Sequence, residues 1–523
     1  MSRRDEPAAG WVMTPLSELL TGIESGKSFQ CEERPPVAGE VGVVKVSAVS
    51  WGEYREQESK TCTTADRVNA DYFIRPGDFL FSRANTIELV GACVVARQVT
   101  LRVMLSDKIL RLQFLWDDLK PWMLHFLGSK AGRLQIETLA SGNQESMRNI
   151  GQERLGQILV PLPPQAEQAR IVAKLEELLS ELDAGVAELK AAQAKLKQYR
   201  QSLLKAAVEG ALTAEWRARN PPQETGTELL ARILRERRAR WEVRQLAKFK
   251  AKGTAPPKDW QAKYPEPVKP DDSALPELPG HWCWTSLDTL GELASGVAKG
   301  SKTKPGEVLR EVPYLRVANV QRGRLDLDEV KTILATERDI AELSLVAGDV
   351  LFNEGGDRDK LGRGWVWSGE VPECIHQNHV FRMRPVLPDI APDFVSHHGN
   401  TFGRRWFESV GKQTTNLASI NLSILRSFPV PVPPADEQRE IVALVQEQLA
   451  VVQEQEIAVD RGQRLAAAQR QNILRAAFAG QLVPQDPADE PASALLARIR
   501  AERAQRPAAA KRMRRSSPQP ATP

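Results

Sequence analysis

The sequence predicts an α+β protein made from a duplicated unit, two mixed α/β globules alternating with two long helices, on three observations. V-P-L-P-P-Q-A-E-Q from Val160 returns as V-P-V-P-P-A-D-E-Q from Val430, and A-A-V-E-G-A-L-T from Ala206 returns as A-A-F-A-G-Q-L-V from Ala476, at a constant offset of 270 residues. Between these ends each copy holds an unbroken heptad pattern. The upstream segments match too: W-V-M-T-P-L from Trp11 against W-C-W-T-S-L from Trp282, and R-P-G-D-F-L-F-S-R from Arg75 against V-A-G-D-V-L-F-N-E from Val346. The chain is therefore an internal repeat.

Within each globule the Trp-led segment is followed by a Ser-Gly element, Ser25 and Gly26 or Ser295 and Gly296, and then by alternating strand patterns at 43–49 and 314–320. The Gly-Asp pairs at 77–78 and 348–349 read as a turn that opens a strand and ends in an exposed loop. Further strands are expected at 92–95, 109–113, 365–367 and 380–383, with one short helix per globule at 119–129 and 392–408. A polar loop then leads to Pro163 and Pro164, or Pro433 and Pro434, which cannot lie in a helix interior and so set a helix start.

Acidic Glu167, and Asp436 with Glu437, suit the positive end of the helix dipole, while Gly210 and Gly480 offer left-handed caps. The first seam is Leu175, Leu182, Leu189, Leu196 and Leu203; the second is Val445, Val452, Val459, Ala466 and Ile473. A leucine stripe needs a partner, and the smaller seam supplies a large-against-small fit within the same chain. The seams alone leave the relative direction of the two helices open. Gly185 and Gly462 each cost about 1 kcal/mol relative to alanine in a helix interior.

Residues 213–280 connect the copies: 228–252 is a basic, helix-favouring stretch and 253–279 a Pro-rich linker. The string L-L-A-R-I at 229–233 returns at 495–499, ahead of a basic tail expected to be disordered. With 523 residues, 42% hydrophobic and 26% charged, the chain has the composition of a soluble protein of two or three domains. Its formal charge of +4 permits nucleic-acid binding without requiring it. Five scattered cysteines with no C-x-x-C pair point to free thiols in a reducing cytoplasm, and no apolar run approaches the ~18 residues of a membrane span.

Catalytic motifs fail on inspection. T-G-I-E-S-G-K-S from Thr21 lacks the first glycine of a phosphate-binding loop and any buried strand leading into it. N-P-P-Q from Asn220 puts glutamine where amino-methyltransferases stack an aromatic on a flipped base, and it reads better as a helix end. His397 with His398, His376 and His379 have no metal spacing, and D-R-D-K from Asp357 lacks the acidic partner of a nuclease, so catalytic and metal residues are none.

What remains is recognition chemistry. Lys45 and Ser47, Arg316 and Asn319 lie in the matched strand regions; Arg83 and Asn85, Asn353, Arg358 and Lys360 follow the Gly-Asp strands; Asn143, Gln144 and Arg148, or Gln413, Thr414 and Asn416, precede the long helices. Arg, Lys, Asn and Gln are the side chains that pair with guanine and adenine edges or bind phosphates. A coiled-coil adaptor that binds only proteins is the competing reading.

Taken together, the two P-x-P-P-x-x-E-Q segments, the matched helix ends, the G-D-x-L-F elements and the run D-R-D-K-L-G-R-G-W-V-W from Asp357 resemble the specificity subunit of type I restriction-modification enzymes over nearly the whole chain. The resemblance implies a pseudo-two-fold arrangement: target recognition domains at 1–160 and 281–430, spacer helices at 161–212 and 431–482 pairing as an antiparallel coiled coil, a connector at 213–280, and a short helix with a basic tail at 483–523. It implies a non-catalytic chain that reads a split site on double-stranded DNA, with half-site centres about one helical turn (~34 Å) apart. Two methyltransferase subunits and restriction-translocase subunits would dock on it. S-adenosylmethionine, ATP and Mg would belong to those partners, and no cofactor to this chain.

Overall fold

The computed structural model describes residues 7–50, 52–144, 147–298, 308–413 and 418–505. Its contacts divide the chain into two compact units, residues 1–190 with 460–523, and residues 191–459.

The Gly-Asp element is the centre of each globule. In the first unit the buried strand Phe79–Ser82 lies between Ile109–Phe114 and Cys93–Val95, with Leu20–Ser25 on the far side of Ile109–Phe114. Gly77 takes φ +88°, which glycine tolerates without strain, and the Asp78 carboxylate accepts from the Arg75 N–H at 2.8 Å and from Arg111 Nε at 2.9 Å. The second unit repeats this order with Gly291–Ser295, Val380–Pro385, Val350–Asn353 and Gly364–Val366. There Gly348 has φ +92°, and Asp349 accepts from the Val346 N–H at 2.9 Å and from Arg384 Nε at 2.7 Å. The repeated motif is thus a turn whose carboxylate ties the strand to an arginine on its neighbour. The Ser-Gly elements end the first strand of each sheet; a Cβ on Gly26 or Gly296 would run into the backbone carbonyl of Leu105 or His376.

Local expectations are corrected in two places. Each expected short helix is a pair, Leu119–Gly128 with Lys130–Leu139, and Pro392–Asn400 with Phe402–Val410. In the first pair the Ser129 hydroxyl breaks the run by accepting from the Gly132 N–H and starting a new helix. The strand patterns at 43–49 and 314–320 stop early, at Val44 and Leu315, and Val46–Ala48 becomes a tight helical turn.

Both long helices are present, Gln165–Val208 and Ala435–Phe478, 44 residues each. In the first unit Ile171, Leu175 and Leu179 share a core with Ile473, Leu474 and Ala477. Arg470 pairs with Asp183, and Leu189 rests on Gly462, whose added Cβ would lie 3.1 Å from its Cδ1. In the second unit Leu204 and Ala207 pack with Ile441, Val445 and Leu449, Tyr199 Oη donates to Gln448 at 3.0 Å, and Arg200 pairs with Glu456 at 2.8 Å. Within each unit, numbers rise along one helix as they fall along the other, so the helices pair antiparallel. All ten seam residues are buried or half-buried, whereas Gly185 and Tyr199, at intervening positions, face solvent.

The repeated W and E-Q residues meet at the helix starts. Trp11 Nε1 donates to Glu167 at 3.0 Å, and Trp282 Nε1 donates to Glu437 at 2.8 Å; both carboxylate residues are 1% exposed. Glu437 also accepts from the Thr213 hydroxyl at 2.7 Å and from Arg217 at 2.8 Å, and Glu167 from Gln485 at 3.3 Å. The L-L-A-R-I strings have one purpose in both copies. The helix Gly226–Ala251 buries Leu229 and Ile233 in the second globule, and the helix Ala492–Gln505 buries Leu495, Leu496 and Ile499 in the first. The basic tail beyond residue 505 lies outside the described residues.

The two helix glycines should respond differently to alanine. Nothing lies within 4 Å of a Cβ on Gly185, so Gly185→Ala should stabilise by up to about 1 kcal/mol. Gly462→Ala should lose most of that gain because Leu189 must give way. Denaturant midpoints of the two variants check this, and equal gains would contradict the packing of Leu189 on Gly462.

Candidate nucleic-acid interface

Residues far apart in sequence come together on one small sheet per globule. In the first, the chain leaves the central strand at Ser82, and Ala84–Asn85 pairs with Met147–Asn149, which in turn pairs with Ser141–Gln144. Asn85 and Arg148 are directly opposed, so they share a face. Arg83 Nε donates to Asn149 Oδ1 at 3.2 Å, and Arg148 Nη1 donates to the Gly142 carbonyl at 3.0 Å. Both guanidiniums are half-buried and held by neutral acceptors, which leaves their charge uncompensated by these bonds. Asn143 and Gln144 lie on the outer strand of this sheet.

The second globule builds the same sheet from the same two loops. Gly355–Gly356 pairs with Ala418–Ser419, which pairs with Lys412–Gln413. Arg358–Lys360 forms one tight helical turn beside it; Arg358 is exposed and donates to the Glu408 carbonyl at 3.1 Å, while Lys360 pairs with Asp357. Gln413 is placed by its backbone strand, and Thr414 and Asn416 lie outside the described residues. The position of Arg83 is taken here by Glu354, which pairs with His379.

Two candidates are corrected. Asn319 is 3% exposed, and its amide bonds the Arg316 N–H and the carbonyls of Asp326 and Glu329. Asn353 is fully buried, donating to the carbonyls of Val317 and Val320. Both amides hold loop backbone and reach no surface. Lys45 and Arg316 face carboxylates, Glu33 at 3.4 Å and Glu329 at 3.2 Å, and the Ser47 hydroxyl bonds Glu58 at 2.7 Å; none of the three lies on a strand of the two small sheets that hold Asn85 with Arg148 and Gln413. Asn149, which orients Arg83, is not singled out by the sequence; only its place five residues after Gln144 in the same polar loop points to it.

The rejected motifs behave as helix ends and strands. Leu20–Ser25 is a strand rather than a phosphate loop, and Asn220 Nδ2 bonds the Trp216 carbonyl at the end of the helix Ala214–Arg219. Among the described residues no three His, Cys, Asp or Glu side chains gather as metal ligands, and no helix is long and apolar enough to cross a membrane. The five cysteines are free thiols.

No family model matches the chain. Over 397 residues, 73% of this chain and 72% of its relative, it is 26% identical to the type I restriction enzyme EcoKI specificity subunit of Escherichia coli strain K12. It is 30% identical over 186 residues to the EcoEI specificity subunit of Escherichia coli, a match spanning 35% of this chain and 31% of that protein. Over most of its length the chain is thus similar to specificity subunits of type I restriction enzymes. A chain solved in work on the assembly and conformational transition of the type I R-M system shares this fold, at a TM-score of 0.59 and 17% identity over 91% of this chain and 100% of that one.

Three buried histidines give a pH test of the second unit. Burial pushes His376, His397 and His398 down to about 4 from the ordinary 6.5, so they are neutral when folded. The unfolded chain takes up these protons first as pH falls. Their contribution is therefore complete above about 6.5 and is lost toward 4, at roughly 1.4 kcal/mol per histidine per pH unit. Limited proteolysis from pH 7 to 5 should open residues 191–459 before the first unit, whose one histidine is His125. Cleavage of the first unit ahead of the second would contradict it.

Proposed function

We propose that this chain is a type I specificity subunit that reads a two-part sequence on double-stranded DNA, one half with each globule, and brings methyltransferase and restriction-translocase subunits to that site. One observation carries the reading most strongly: each globule presents a small polar sheet built from the same two loops on the same scaffold, yet the two sheets carry different side chains. A shared scaffold with unlike polar faces suits two half-sites of unlike sequence. Arg83 and Arg148 in the first globule, and Arg358 in the second, offer donor forks that match the O6 and N7 acceptors of guanine. Asn85, Asn143, Gln144 and Gln413 complete the candidate readers.

On this reading the chain performs no bond chemistry. S-adenosylmethionine, ATP and Mg belong to the partner subunits, and the whole assembly works in the cytoplasm. The paired helices set the number of base pairs left unread between the half-sites and supply the docking surface. A protein-only adaptor would leave Arg83 and Arg148 in the first globule, and Arg358 beside the small sheet of the second, without a role.

The adenine methylation map of the native genome tests the proposal. A split motif should vanish on deleting this chain. Arg83→Ala should relax one position of one half-site, at a cost of roughly 1–3 kcal/mol for the matched base. A map unchanged by the deletion would refute the function, and a uniform loss across sequences in the Arg83 variant would assign that side chain to phosphate.

A further inference from the structure

The helix Gly226–Ala251 continues well past the turns that enter the globule core. Residues 235–263 hold ten Lys and Arg against three acidic residues, an excess larger than the +4 of the whole chain. Four of the arginines are engaged: Arg237 with Asp288, Arg244 with Glu292, Arg238 with Glu242 and Arg240 with Glu236. Lys248, Lys250, Lys252, Lys258 and Lys263 are different. All five are exposed, and they take no carboxylate partner among the described residues.

Composition alone makes the segment after Gly253 a linker, but it is folded. Gly253, at φ +65°, reverses the chain, and Trp260–Lys263 forms a tight turn laid back on the helix. Trp260 stacks on Trp241 at 5.7 Å and 20°, with Tyr264 edge-on to Trp241 at 5.4 Å and Phe249 edge-on to Trp260 at 6.1 Å. The Arg238 guanidinium covers Tyr264 at 5.6 Å. These aromatics belong to none of the hydrophobic cores. Their effect is to fix a folded-back arm that carries the five lysines on both of its segments. A flexible linker needs no such clasp, and lysines spent on a helix dipole would stop at the last helical turn.

We infer that this arm is a second DNA-binding element, one that grips the phosphate backbone of the duplex without reading bases. The inference rests on the DNA-reading function proposed above. Unpaired lysines are compact, strongly hydrated point charges suited to phosphate rather than to bidentate base pairing. Each phosphate neutralised releases counterions, so the arm adds affinity that is independent of sequence and weakens with salt.

The test uses the full chain assembled with its methyltransferase partners and two duplexes of equal length, one carrying the methylated motif and one without it. In the variant Lys248→Gln, Lys250→Gln, Lys252→Gln, Lys258→Gln, Lys263→Gln, binding is followed from 50 to 200 mM salt. The slope of log affinity against log salt should shrink by roughly 0.9 for each phosphate that is no longer neutralised. Affinity at low salt should fall at least tenfold on both duplexes, with their ratio unchanged, and the same five positions as arginine should restore it. An unchanged slope in a complex that still discriminates the duplexes overturns the arm's role alone. A wild-type complex without preference between the duplexes would instead overturn the reading on which the arm rests.

Discussion

The carboxylate of Glu437 is 1% exposed, and a charge in that position is tolerable only because its lone pairs are met by Trp282, Thr213 and Arg217. The arrangement ties three pieces of chain together: the start of the second long helix, the first strand region of its globule, and the segment that follows the end of the first long helix. Next to it, Gln438 donates to the Pro433 carbonyl and accepts from the Ala391 N–H, each at 2.9 Å. Glu167 makes the same joint in the first unit with Trp11 and Gln485. The P-P-x-x-E-Q repeat is therefore more than a helix start; it is a buried polar joint between globule and helix, and removing either glutamate would strand its donors.

With the joint in place, each globule is held on a rigid element, and the candidate readers inherit that rigidity. Asn85 and Arg148 sit on a sheet that begins one residue after a fully buried strand, Arg83 is the residue between, and that strand is fixed in turn by the Asp78 carboxylate and Arg111. A side chain that must tell one base from another benefits from such support, because small displacements lose bidentate geometry. The antiparallel pairing then lets one chain carry two such globules on one pair of helices.

The long helices were the most legible part of the sequence. Proline pairs, glycine caps at Gly210 (φ +74°) and Gly480 (φ +68°), and heptad seams from Leu175 to Leu203 and from Val445 to Ile473 leave few alternatives. Their direction was not legible from the seams, since it depends on pairs such as Asp183 with Arg470 and Arg200 with Glu456, charged residues that read as solvated faces. The L-L-A-R-I repeat was visible, but its burial in the globule cores was not, because the same string suits a free connector helix. Asn319 and Asn353 show the limit for the site. An asparagine beside a strand has the same signature whether it reads a base or satisfies buried carbonyls, and only the fold brings the carbonyls of Val317, Val320, Asp326 and Glu329 to them. The opposed pair Asn85 and Arg148 was named from two separate loops, and the sheet that joins them followed from strands too short to announce themselves.

Under the proposed function, one chain reads two half-sites at a separation that its own helices set. The most direct measurement is the methylated motif after inserting one heptad into each long helix, at the facing positions beside Leu189 and Gly462. Seven residues lengthen a helix by roughly 10 Å, about three base pairs of B-DNA. The expected motif keeps the same two half-sites with a longer gap between them; the original gap, read by a complex that still assembles, would rule out helices that set the spacing.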